Sequence, residues 1–130
     1  MSKRLTVTEK WQDVWFQDLE PLPKLMFVYI CDNCDCAGFW EINYRLAAYQ
    51  TRIEQNSIET VMQQLSNSYL TDGKFVWLKN FMKHQGYLQL SPKHPVRQGC
   101  TKRIMERNSF GKQVVTFLKK NFEFEVLSNS

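Results

Sequence analysis

A chain of 130 residues with 43% hydrophobic and 14% aromatic content can bury a core of its own, and it is too short for two ordinary domains. That composition rules out a disordered segment. The longest apolar run, residues 25–31, falls far short of the roughly 20 residues of a membrane span. Met1-Ser2-Lys3-Arg4 leads into no apolar signal-peptide region, so a cytoplasmic protein with no membrane contact is expected. The formal charge of +4 is unevenly spread: residues 1–73 hold 6 Lys and Arg against 10 Asp and Glu, whereas residues 74–130 hold 11 against 3. A basic second half points to nucleic acid or another polyanion, because neutralising phosphates supplies most sequence-independent binding energy. A solvated helical surface is the plainer reading of the same charges.

Trp11, Trp15 and Phe16 recur at helical spacing before Pro21 and Pro23, which predicts a short aromatic helix or arm over residues 1–22, with Trp15 and Phe16 packed on the core. Pro23 opens the apolar run through Cys31; proline at a first helical position, with Leu, Met and Phe following, favours a helix over a strand. Gly38-Phe39-Trp40-Glu41-Ile42 suits a brief strand. Asn43 can cap the next helix, where Leu46, Tyr49 and Ile53 mark the expected inward stripe. A further helix is expected from Asn56 or Ser57, with Asn56 and Glu59 as a capping box and Ile58, Val61, Met62, Leu65 and Tyr69 inward. Asp72-Gly73 between two apolar runs predicts a hairpin with a two-residue turn, and the strand at residues 38–42 is its natural third member. Val96, Cys100 and Ile104 predict one more helix, and a last one spans residues 109–121 with Val114, Phe117 and Leu118 inward. Residues 122–127 read equally as a strand or a tail.

Helix, helix, tight hairpin and basic tail, in that order, are the plan of a winged helix-turn-helix, a mainly α fold with a small antiparallel sheet. Residues 23–87 form its expected core, and residues 88–130 a basic helical extension packed on it. The helix that would enter the major groove carries Glu59 as its only charge, so base contacts fall to Gln63, Gln64 and Asn67, whose amides suit adenine edges. Phosphate contacts then fall to Arg45, Arg52, Lys74, Lys79 and Lys83, with Arg97, Lys102, Arg103 and Arg107 as a second patch.

Cys31, Cys34 and Cys36 invite a zinc reading, but Cys100, His84 and His94 stand at no diagnostic spacing for a fourth ligand. The expectation is therefore no metal and no cofactor, with Cys31 a small core residue and Cys34 and Cys36 in a loop. Disulfides are not expected in a cytoplasmic chain. With two histidines and no triad, metal-hydrolase or phosphate-loop pattern, catalysis is not expected either.

Several of these segments resemble one family. Trp15-Phe16, the helix at residues 24–30, Asn33-Cys34-Asp35 with Ala37-Gly38-Phe39-Trp40-Glu41, Trp77-Leu78 followed by Lys79-Asn80-Phe81-Met82-Lys83-His84-Gln85, and Ser91-Pro92-Lys93 look like the N-terminal winged-helix domain of phage replisome-organiser and DnaD-like replication initiation proteins. The resemblance covers residues 11–107. It implies a module that binds double-stranded DNA, self-associates and helps open or load a replication origin, with helicase-loading or primosome proteins as partners. Members often continue into a second domain that these 130 residues are too few to hold. An oligomerisation or adaptor module contacting protein, and a transcriptional regulator, are the alternative readings of the same fold.

Overall fold

A computed structural model describes residues 8–125. Among them the chain is mainly helical around one small antiparallel sheet: α1 (Val14–Gln17), α2 (Pro21–Asn33), β1 (Phe39–Glu41), α3 (Tyr44–Thr51), α4 (Ile58–Gln64), β2 (Tyr69–Thr71), β3 (Phe75–Leu78), α5 (Phe81–His84), α6 (Pro95–Met105) and α7 (Ser109–Phe122). No helix among these residues is long and apolar enough to cross a membrane.

The sheet has the order β1-β3-β2, with β3 in the middle. Its register pairs Phe39 with Trp77 and Leu70 with Trp77, so the expected third strand does join the hairpin. The hairpin turns one residue later than expected. Thr71 pairs with Val76, Asp72 N–H donates to Phe75 O, and Gly73-Lys74 forms the tip, with Gly73 at φ 91°. Asp72 Oδ1 accepts from the backbone N–H of Lys74 and Phe75, which closes the turn from inside.

Side chains alternate across a strand, and here both sides meet apolar layers. Trp40, Val76 and Leu78 face a first core shared with Met26 and Ile30 of α2, Ala47 and Ala48 of α3, and Ile58, Val61 and Met62 of α4. Phe39 and Trp77 face a second core built with Cys100 and Ile104 of α6 and Phe110, Val114 and Leu118 of α7. The sheet is thus the middle of three layers. Residues 88–125 cover a sheet face that would otherwise meet water. After α7, Glu123 turns through a left-handed φ of 55° and returns Phe124 to the second core; the rest of the expected strand or tail lies outside the described residues.

Four local expectations are corrected. Helix α2 begins at Pro21, which takes the first helical position expected for Pro23. On α3, Asn43 caps Leu46 N–H as expected, but Ala47 and Ala48 face the core while Leu46 and Tyr49 are exposed. Small residues let α2 approach α3 closely, and the larger apolar pair is left outside. Ile53 is buried, but it lies beyond the helix, which ends at Arg52 in a left-handed conformation (φ 66°). The Asn56–Glu59 capping box does not form. A 3-10 turn over Gln55–Ser57 runs directly into α4, leaving Ser57 in a helical conformation without a side-chain cap. Helix α4 itself ends at Gln64, and a second 3-10 turn, Ser66–Ser68, leads into β2.

Candidate nucleic-acid interface

Helices α3 and α4 carry the most coherent group of expected contacts. Arg45, Tyr49, Arg52 and Gln55 line a shallow recess over Ala48 and Ile53, and Gln55 starts the 3-10 turn that feeds α4. The arginines therefore sit beside the 3-10 turn that precedes α4. Along that helix Glu59, Thr60, Gln63 and Gln64 are exposed, because Ile58, Val61 and Met62 take up the side turned to the core. Lys74 stands exposed at the hairpin tip, its ammonium 5.7 Å from the Phe75 ring.

Asn67 belongs elsewhere. It follows α4, in the 3-10 turn, and lines a groove of about 430 Å³ between the N-terminal residues, α2 and α5. Trp15, Phe16, Phe27 and Phe81 form part of its wall, and Lys83 and His84 belong to its rim. Local desolvation, reinforced by Lys83, pushes His84 below the ordinary histidine range despite the nearby Asp13. Lys24 stacks over Trp11 and Phe16 at 5.5 and 5.6 Å, which holds Trp11 beside α2 although its ring is exposed.

Among the remaining basic residues, Lys79, Arg97 and Arg107 are turned to structure. Lys79 is half-buried with its ammonium 5.6 Å from the Phe117 ring, while exposed Lys83 lies 5.8 Å from Phe122. Arg97 is 3% exposed, where an outward, phosphate-facing position was expected. Its guanidinium donates to the carbonyls of Leu90 and Glu125, at 3.3 and 2.9 Å, and stacks 4.5 Å from Phe124. Arg107 is held by Asp35 at 3.5 Å and lies 4.0 Å from Phe75 and 5.1 Å from Phe39. Lys102 and Arg103 are exposed, and Arg103 pairs with Glu106 at 3.3 Å. The sheet separates these α6 residues from Arg45 and Arg52, since α6 packs on the second core and α3 on the first. The two expected patches therefore do not merge into one surface.

Arg97→Ala tests the reassignment. Removing the guanidinium leaves two carbonyls without their donor, so a stability loss of about 1–3 kcal/mol in urea denaturation is expected. Affinity for DNA should not change. Weakened DNA binding at unchanged stability would return Arg97 to the interface.

Among the described residues no group of three or more His, Cys, Asp or Glu is placed to hold a metal ion. The expected division of the cysteines is partly reversed: Cys34 is buried in the first core at the end of α2, Cys31 is half-buried, and Cys36 packs against the second core. Sequence reasoning missed the recess around Tyr49; the exposed Arg45 and Arg52 flanking an aromatic on one helix were the available signal. No family model, curated protein or solved structure matches the chain.

Proposed function

We propose that this chain is a non-enzymatic, winged-helix DNA-binding protein of the phage replication-initiation type, gripping duplex DNA through α3, α4 and the hairpin. The order α2, β1, α3, α4, β2, β3, with β1 paired to β3, supports the winged-helix reading. One observation carries the DNA reading: Arg45 and Arg52 share a recess with Gln55 of the 3-10 turn that leads into α4, whose Gln63 and Gln64 are exposed. In this arrangement Gln63 and Gln64 read base edges while Arg45, Arg52 and Lys74 hold phosphates. Self-association and contact with helicase-loading or primosome proteins belong to the same proposal.

Three phosphate contacts give a slope of about −3 in log affinity against log salt, and Arg45→Ala/Arg52→Ala should reduce it by about two units. At low salt the double variant is expected to bind duplex DNA at least tenfold more weakly in fluorescence anisotropy. Salt-indifferent binding, or a double variant as tight as the parent, would overturn the proposal.

Leu46 and Tyr49 on α3, with Leu22 and Leu25 on α2, are exposed apolar side chains that favour the adaptor reading. If protein contact dominates, Leu46→Ser/Tyr49→Ser lowers the mass measured by light scattering and leaves DNA affinity intact.

A further inference from the structure

Cys36 and Cys100 lie 64 positions apart in sequence and meet in space. Cys36 sits in the loop between α2 and β1, and Cys100 in the middle of α6. Asp35 fixes that loop: its Oδ1 accepts from the backbone N–H of Ala37, Gly38 and Phe39 at 2.9, 3.1 and 3.0 Å. Its other oxygen meets Arg107 just beyond α6. The Cys100 thiol donates to the Cys36 carbonyl at 3.4 Å, which brings its sulfur against the Cys36 residue. Both elements are therefore anchored around the pair. Exposure divides the roles, because Cys36 is half-buried and reachable while Cys100 is fully buried behind it.

We propose that Cys36 and Cys100 are an oxidative modification site, closing to a reversible disulfide when the protein meets a hydroperoxide. The electrostatics suit a reactive thiol backed by a protonated one. Pairing with Cys100 holds the Cys36 thiol below the ordinary cysteine range and Arg103 assists, against burial and the Asp35 carboxylate. The same pairing, then burial, pushes Cys100 up, against a smaller opposing pull from Arg97.

The chemistry balances. The Cys36 thiolate attacks one peroxide oxygen, the O–O bond breaks, and the departing hydroxide is protonated to water, leaving a sulfenic acid. The Cys100 sulfur then attacks Cys36 Sγ; the S–O bond breaks, and the hydroxyl leaves with the Cys100 proton as a second water. The thiols lose the two electrons that the peroxide gains. A dithiol reductant reverses the bond.

The test uses the full reduced chain treated with near-equimolar hydrogen peroxide, then blocked with N-ethylmaleimide and digested. Titratable thiols should fall from four to two, with one cross-linked peptide joining Cys36 to Cys100 that dithiothreitol releases. Cys36→Ser should keep its remaining thiols, and Cys100→Ala should instead accumulate a sulfenic acid at Cys36 that a dimedone-type probe captures. Should Cys100→Ala fail to fold, the peptide map of the unaltered chain decides alone. A cross-link between Cys31 and Cys34 instead, or oxidation of Cys36 to sulfinic acid without joining Cys100, would overturn the assignment.

Discussion

Trp77→Ala is expected to destabilise the protein by about 3–5 kcal/mol, the usual loss for truncating a large buried aromatic. Trp77 is fully buried at the centre of β3, with strands on both sides and its ring in the second core. Phe117 meets it edge-on with ring centres 5.5 Å apart, so the indole joins the sheet to α7. Its Nε1–H donates to Ala37 O at 2.8 Å, fastening β3 to the loop before β1. Alanine creates a cavity and removes the donor for that carbonyl. Domains of this size have a total stability of about 5–15 kcal/mol, so the variant should unfold at much lower urea and be partly unfolded on warming. Trp77→Phe keeps a ring and loses the hydrogen bond, and should cost clearly less. A loss under about 1 kcal/mol for the alanine variant would mean that α7 does not cover this side of the sheet.

Gly111→Ala should come next in severity. A methyl group there would stand 2.1 Å from the backbone oxygen of Ile104, closer than any non-bonded contact allows. Neither partner is a flexible side-chain end, so α6 and α7 must move apart, at the upper end of the about 1–3 kcal/mol typical of overpacking. Gly99, within α6, has open space where its methyl would go. Gly99→Ala should therefore stabilise by about 0.5–1 kcal/mol through helix propensity alone. Opposite signs for these two chemically identical changes, read from paired urea curves, isolate the close approach as the cause. Two losses of similar size would refute the helix crossing.

The positions of the elements were largely readable from residue order, because local signals set them. Asn43 caps its helix, Asp72 and Gly73 place the hairpin, and Val114 and Leu118 mark the inward side of α7. Which side faces inward was harder where size and polarity disagree. Large side chains at helical spacing favour Leu46 and Tyr49 as the inward pair, yet close helix contact selects Ala47 and Ala48. On α6 the buried stripe is Arg97, Cys100 and Ile104, with Val96 more exposed than Arg97. A guanidinium that stacks on Phe124 and finds two carbonyls can be buried, and no hydropathy pattern reveals that. The same blindness explains why Arg97 and Arg107 were expected at an interface. Phe75-Val76-Trp77-Leu78 did hold a readable clue: a strand without a polar alternate residue has both sides covered.

That doubly covered strand governs the order in which the protein can mature during synthesis. When residues through Phe81 have left the ribosome, the first core can assemble, but Phe39, Phe75 and Trp77 still lack the helices that cover them. Native completion waits until Ser109–Phe122 emerges, about 40 residues later at roughly 5–20 residues per second, so a nascent sticky surface persists for several seconds. Chaperone demand should therefore fall within that interval and end when the last helix docks.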